Sequence, residues 1–201
     1  MPDLVIGPTL DMSIPHLHPN FHRVGPIVRQ DYAASKRNQN IEADRAVIRL
    51  CGSTFGSKIV FKKTAYPFAI DVIGRDAPEG VAVPEKVTFH GCIKDTRSLL
   101  SDAKLMIVNG GFSAVSEAFC LLKPMIVVLV PNHAEQWING RTIVSLKVGC
   151  MAGEQDLEEA MFAALKSSET YYSRYDELGK IPDGADQAAE ILVDTMNGKL
   201  C

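Results

Sequence analysis

The stretch Leu105-Met-Ile-Val-Asn-Gly-Gly-Phe-Ser-Ala-Val-Ser-Glu-Ala-Phe119 decides the fold. Leu105–Val108 is a short strand with no polar position, as in a sheet covered on both faces. It runs into Asn109 and the pair Gly110-Gly111, and a helix follows from about Ser113. Two glycines let the backbone approach a ligand with no Cβ in the way. The first N–H groups of a helix lack internal partners, and the helix dipole adds roughly half a positive charge there. That chemistry suits a diphosphate. Glu117 falls four residues after Ser113, on the same helix face, where a carboxylate can accept from both ribose hydroxyls. Taken alone, Gly-Gly is equally explained by a tight turn with Ser113 as N-cap and Glu117 in solvent.

Working outward, the same punctuation recurs. Ala46–Cys51 is an apolar strand leading into Gly52-Ser53-Thr54-Phe55-Gly56, with a helix-like stretch to about Ala65. Phe68–Ile73 and Lys86–His90 read as strands, Thr96–Ala103 as a short helix and Ala114–Leu122 as the helix after the glycine pair. Met125–Val130 is a strand and His133–Lys147 a helix. After Gly153 the chain is helical, with Leu157, Met161 and Leu165 at helical spacing, then Ala185 to Met196. Short apolar strands alternating with helices predict a single α/β, Rossmann-like domain: a parallel sheet flanked by helices over residues 46–201. Two glycine turns, each at the carboxyl end of a strand, point to one crevice. A third segment, Pro131-Asn-His-Ala-Glu-Gln-Trp-Ile-Asn-Gly-Arg141, sets Glu135 and Gln136 near a helix start, in reach of sugar hydroxyls. Trp137 and Ile138 are then expected to pack inward. A plain acidic first turn accounts for Glu135 as well.

Residues 1–45 differ: five prolines, three of the five histidines and a polar run from Gln30 to Asp44, with only Leu4–Ile6 and Arg23–Val24 strand-like. This reads as an interdomain linker and the trailing edge of another domain. His16, His18 and His22 have no carboxylate or cysteine at ligand spacing, so no metal site is expected. His90 and His133 sit at element ends, as caps or surface groups. Net charge −3 argues against a nucleic-acid partner. No apolar run approaches the roughly 18 residues of a membrane span, and five scattered cysteines without a CxxC pair fit a cytoplasmic protein.

In order, these segments resemble the C-terminal, donor-binding domain of GT-B glycosyltransferases. The likeness is to the group of the peptidoglycan-precursor N-acetylglucosaminyltransferase (glycosyltransferase family 28-like). That pattern is Gly-Gly-x-Gly-Thr-x-x-Glu-Ala, Gly-x-Pro, then Pro, Asp/Glu-Gln and Asn-Ala. Here it reads Gly110 to Ala118, Leu122-Lys123-Pro124, Pro131, Glu135-Gln136 and Asn139-Gly140, and Val24-Gly25-Pro26 resembles the domain junction. The resemblance implies half of a GT-B fold. Asn109, Gly110, Gly111, Phe112 and Ser113 would hold the donor diphosphate and Glu117 the ribose. Gly52 and Ser53 would line the phosphate side, the backbone of Ile93 would hold the base, and Glu135 and Gln136 would face the sugar. It implies a UDP-sugar as substrate, with no cofactor, and transfer of a hexose or N-acetylhexosamine. An N-terminal acceptor domain or partner chain would complete the enzyme, which leaves a peripheral membrane contact through that partner, and a homodimer, open. The opening reads like a linker, so a fragment of a longer protein is expected. A nucleotide-sugar hydrolase or 2-epimerase, or a non-catalytic binding domain, are the alternatives. The departures are Asn109 where the family often has a charged histidine, Ser113-Ala114 for Gly-Thr, and Lys104 where an aspartate is common.

Overall fold

The computed structural model describes residues 4–13, 18, 20–29, 44–50, 59 and 61–198. Its centre is a parallel sheet of β3 (Arg45–Arg49), β4 (Ala65–Ile73), β5 (Glu85–Phe89), β6 (Leu105–Asn109), β7 (Met125–Val128) and β8 (Gly149–Ala152). These stand in the order β5-β4-β3-β6-β7-β8. The helices are α1 (Arg97–Asp102), α2 (Phe112–Cys120), α3 (Ala134–Leu146), α4 (Leu157–Lys166), α5 (Ser168–Leu178) and α6 (Gly184–Met196). None among the described residues is long and apolar enough to cross a membrane. From β3 the chain builds outward to β5, then returns to set β6 against β3 and builds the other way. The crevice of a doubly wound sheet opens at such a reversal, beyond the carboxyl ends of the strands.

Burial explains why the central strands read so clearly. Leu105, Met106, Ile107 and Val108 are all fully buried, as are Met125, Ile126 and Val127. Alternation sends Val47, Met106, Val108 and Val127 to the face covered by Val115, Phe119 and Ile143. Ile48, Ile107 and Ile126 go to the other face, under Leu157, Met161 and Leu165.

Several boundaries differ from expectation. The helix expected to reach Ala65 lies largely outside the described residues, and β4 already begins at Ala65. Helix α2 starts at Phe112, with Gly111 as N-cap, so Ser113 is not the cap. Strand β8 has no counterpart in the sequence reading: Gly-Cys-Met-Ala is short and lacks the β-branched residues that mark a strand. Trp137 and Ile138 do not pack inward but are 54% and 58% exposed. The inward stripe of α3 runs through Asn139, Gly140, Ile143 and Leu146, and Arg141 covers the Trp137 ring instead.

Leu122 shows why the resembling family carries glycine in its Gly-x-Pro. At the end of α2 the amide of Lys123 donates to Ala118 O and that of Leu122 to Phe119 O, a Schellman closure. The closure holds Leu122 at φ 55°, a left-handed conformation that costs a side chain about 1–2 kcal/mol.

Ahead of the sheet, β1 (Val5–Pro8) and β2 (Phe21–Val24) form a separate parallel pair. Helix α6 returns to this segment. The Gly25 amide donates to Gln187 Oε1 at 2.7 Å, and the Gly184 amide donates to Pro26 O at 3.1 Å. A Cβ on Gly184 would lie 1.9 Å from Gly25 O, so the two chains touch backbone to backbone.

One polar cluster braces the sheet. Buried Asp71 in β4 accepts from Arg45 Nη1 at 2.5 Å and lies 2.7 Å from His90 Nε2. His90 is thereby a bracing residue at the end of β5. Removing the shared carboxylate strands two nitrogen-bearing side chains, so Asp71→Ala should lower the unfolding free energy by about 1–3 kcal/mol. Urea unfolding would register this as a lower midpoint with an unchanged slope; an unmoved midpoint would refute the bracing role.

Candidate functional site

The crevice at the reversal is built by the ends of β3 and β6 and the starts of α2 and α3. Asn109 ends β6, Gly110 and Gly111 make the turn, and α2 begins at once. The two glycines have separate reasons. An added Cβ on Gly110 would sit 2.6 Å from Gln136 O and 2.9 Å from Gln136 Cα, so Gly110 lets α3 close against the turn. Asn139 Nδ2 bolts this contact by donating to Gly110 O at 2.8 Å, both groups being buried. Gly111 has nothing within 4 Å of its Cβ position. The room above it is the crevice itself.

That room is a cavity of about 350 Å³ walled by Arg49, Asn109, Gly111, Phe112, Ser113, Glu117, Glu135 and Gln136. Beside it lies a second cavity of about 350 Å³, lined by Arg29, Gly74, Cys92, Ile93, Lys94 and Thr96. Arg49 and Glu117 belong to both. The structure therefore gathers Ile93, Asn109, Gly111, Phe112, Ser113, Glu117, Glu135 and Gln136 along one continuous cleft. Gly110 lies buried beneath it, and Gly52 and Ser53 lie outside the described residues. Lys104 is remote: it precedes β6 at the opposite edge of the sheet, where its Nζ meets Asp44 Oδ1 at 2.8 Å.

Charge in the cleft is arranged in pairs. Arg49, the last residue of β3, donates through Nη1 to Glu117 Oε2, and Arg29 Nε stands 3.9 Å from Glu117 Oε1. Glu117 is thus an anchored carboxylate rather than a solvated one, only 13% of its side chain being exposed. Glu135 reaches across from α3, and its Oε1 accepts from the Phe112 amide at 3.2 Å. One orphan donor at the α2 N-terminus is thereby already capped, from another helix. The Gln136 side chain accepts from the Val130 amide at 3.2 Å, which steadies the loop before α3. The Oδ1 atom of Asn109 is buried and makes no hydrogen bond within the described residues.

Sequence reasoning missed Arg49 and Asn139. Arg49 lies inside the expected apolar strand Ala46–Cys51 and carries no motif of its own. Its pairing with Glu117 spans 68 residues, and only the register of β3 on β6, Arg49 opposite Val108, makes it visible. Asn139 stood within a motif but had no assigned task. Of the three amino-terminal histidines, His16 lies outside the described residues, and His18 Nδ1 accepts from the Asn20 amide.

Sheet order, cleft position and helix cover define a Rossmann-like α/β domain of the kind found in GT-B glycosyltransferases. The chain belongs to the family described as Glycosyl transferase family 1, whose sequence profile matches residues 18–167. A curated relative, the uncharacterised glycosyltransferase MK0977 of Methanopyrus kandleri, is 23% identical over 97% of this chain and 61% of its own length. MurG of Acinetobacter baumannii superposes with a TM-score of 0.64 at 13% identity, over 92% of this chain and 59% of that one. The glycosyltransferase SsfS6 of Streptomyces sp. SF2575, solved with thymidine diphosphate, superposes with a TM-score of 0.54 at 17% identity, over 95% of this chain and 52% of that one. The chain therefore spans little more than half the length of these proteins.

The two glycines supply a paired prediction. Gly110→Ala pushes a methyl into backbone and should destabilise the fold by about 2–4 kcal/mol, in the range of overpacked cores. Gly111→Ala, at φ −63° in open space, should fold as the parent does and lose affinity for whatever occupies the cavity. Thermal unfolding with and without nucleotide separates the two; equal midpoints for both variants would contradict the assignment.

Proposed function

We propose that this domain binds the nucleotide-sugar donor of a glycosyl transfer reaction and needs an acceptor-binding domain or partner chain for turnover. The observation that carries the reading is the single cleft at the sheet reversal. It joins a helix N-terminus whose first amide rests on Glu135, an anchored carboxylate one turn further on, and a neighbouring cavity at Ile93. A nucleoside diphosphate has the matching parts in the matching order: phosphates on the α2 amides, ribose hydroxyls on Glu117, base beside Ile93. The thymidine diphosphate held by a protein of similar fold supports a nucleoside diphosphate here. Uridine is the base proposed, and UDP-N-acetylglucosamine the first donor to try, on the motif resemblance to the C-terminal half of the family 28-like enzymes. In that arrangement Glu135 and Gln136 flank the transferred sugar, Gly52 and Ser53 add to the phosphate side, and the reaction is cytoplasmic.

Chemically, the domain would act on the leaving group. As the glycosidic bond to phosphate breaks, negative charge grows on the diphosphate, and amides aligned at a helix N-terminus stabilise charge that develops. Hydrolysis or epimerisation would need an acid or base free in the cleft, whereas Glu117 is tied to Arg49 and Glu135 to the Phe112 amide. Transfer is therefore preferred. Sugar released from UDP-sugar by the full protein without an acceptor would count against it.

Calorimetric titration with UDP, ADP, GDP and UDP-N-acetylglucosamine tests the reading directly. UDP should bind selectively, and Glu117→Ala should weaken it by about 1–3 kcal/mol, the range for hydrogen bonds to a charged group. Undiminished binding by the variant would remove Glu117 from the ribose site.

Cysteine chemistry gives a second readout. Cys92 is exposed and lines the cavity beside Ile93, whereas burial, with the charges of Asp183 and Glu117 adding, pushes the Cys120 thiol up to about 12. The thiolate is the reactive form, so at pH 8 Cys120 stays protonated and inert. Peptide-level mass spectrometry after alkylation should find Cys92 modified and Cys120 not, with UDP shielding Cys92. Alkylation of Cys92 at the same rate with and without saturating UDP would move the base elsewhere.

A further inference from the structure

We propose that Lys94 selects the base of the bound nucleotide: its ammonium donates to a ring carbonyl of uracil, at the end of the cleft away from the phosphates. The inference rests on the donor-binding reading and adds to it a residue that no motif marks. Position leads to it first. Lys94 lines the cavity beside Ile93 and not the cavity over α2, so it stands at the base end and apart from the place proposed for the diphosphate. Charge points the same way. The wall of the Ile93 cavity carries Arg29, Arg49 and Lys94 against one carboxylate, Glu117. Arg49 donates to that carboxylate and Arg29 stands 3.9 Å from it. Lys94 makes no hydrogen bond or ion pair within the described residues. The nearest carboxylate in sequence, Asp95, is engaged elsewhere: its Oδ1 accepts from the Arg97 amide at 3.0 Å, at the start of α1.

The loop that carries Lys94 is held at both ends. The Gly74 amide donates to Gly91 O at 2.7 Å and the Gly91 amide to Arg75 O at 3.0 Å, which ties the loop to the end of β4. At the other end Thr96 is buried, and its carbonyl accepts from the Leu100 amide at 3.0 Å. Lys94 therefore reaches the cavity from a fixed stretch of backbone. An ammonium has three donors and no acceptor. Uracil, like thymine, has a carbonyl acceptor at O4, where cytosine carries an amino donor. A donor-only side chain gains a hydrogen bond from the first and meets another donor in the second. A site that hydrogen-bonds one ligand rejects the analogue that cannot return the bond, because a polar group is then left without its partner. Lys94 is exposed in the free chain, and its pairing arises when a base covers it.

Calorimetric titration of the full chain with UDP and CDP, which share ribose and diphosphate and differ in the base, tests the inference. The variant is Lys94→Met, which keeps the reach of the side chain and removes its donors. The parent should prefer UDP. Lys94→Met should weaken UDP about tenfold, the order of one lost hydrogen bond to a charged group, and leave CDP within about threefold. The salt dependence of UDP binding should stay as in the parent, since a carbonyl carries no net charge for salt to screen. If Lys94 meets the phosphates instead, UDP and CDP will weaken together and the salt dependence will flatten, which overturns the inference. A variant that binds both ligands as the parent does overturns it as well, and so does a parent that binds the two equally; each leaves the donor-binding reading standing. A parent chain that binds neither overturns that reading itself, so the two failures are distinct. Should Lys94→Met fail to fold, Lys94→Gln makes the same comparison. Its amide adds an acceptor for the cytosine amino group, so the UDP-to-CDP ratio should fall, and an unchanged ratio refutes the role of Lys94.

Discussion

Burial of the central strands on both faces is the constraint from which the rest of this domain follows. Polar side chains cannot be placed along β6 or β7, because Met106, Ile107, Ile126 and Val127 are sealed under helices on either side. Polar function is therefore pushed to the strand ends. At one end the chain puts Lys104 with Asp44, a surface pair away from the cleft. At the other it puts Arg49, Asn109 and the two glycines, exactly one strand apart across the reversal of the sheet. The cleft forms there because that is the edge where loops are free of the sheet and where the reversal leaves a gap between diverging helices.

Backbone contact then fixes the shape of the gap. Gly110 against Gln136, with the Asn139 side chain closing on Gly110 O, sets the start of α3 over the start of α2. The same device joins the amino-terminal segment to α6, where Gly25 and Gly184 meet without side chains. In both places a short contact between main chains, rather than a layer of apolar packing, sets the position of an element. Such contacts tolerate no added methyl, whereas the outward face of α3 carries Trp137 and Ile138 in solvent at little cost to the fold.

Much of this was legible in the sequence, and the exceptions have physical causes. Strands β6 and β7 were plain because an unbroken apolar run between turn residues has few other meanings. The glycine pair located the turn, but helix α2 began two residues early because a glycine N-cap leaves no side-chain signal. Strand β8 escaped notice since its pairing with β7, and not its own composition, makes it a strand. Of the cleft, the residues held in local motifs could be gathered from the sequence: Asn109 to Ser113, Glu117, Glu135 and Gln136. What the sequence hid was the relation between them. Arg49 meets Glu117 through strand register, and Glu135 reaches the Phe112 amide because α3 closes over α2. Trp137 was misjudged because the inward phase of α3 is set by Asn139 and Gly140, whose small size reads as weak patterning.

The bond from Phe112 to Glu135 has a kinetic side. The α2 terminus is not vacant: a tethered carboxylate rests on its first amide. Any free anion that arrives there takes part in an exchange, not a simple addition, and its residence time is shortened by a competitor that never diffuses away. A group held in this manner departs with the help of its own replacement, since the amide regains a partner as the anion goes.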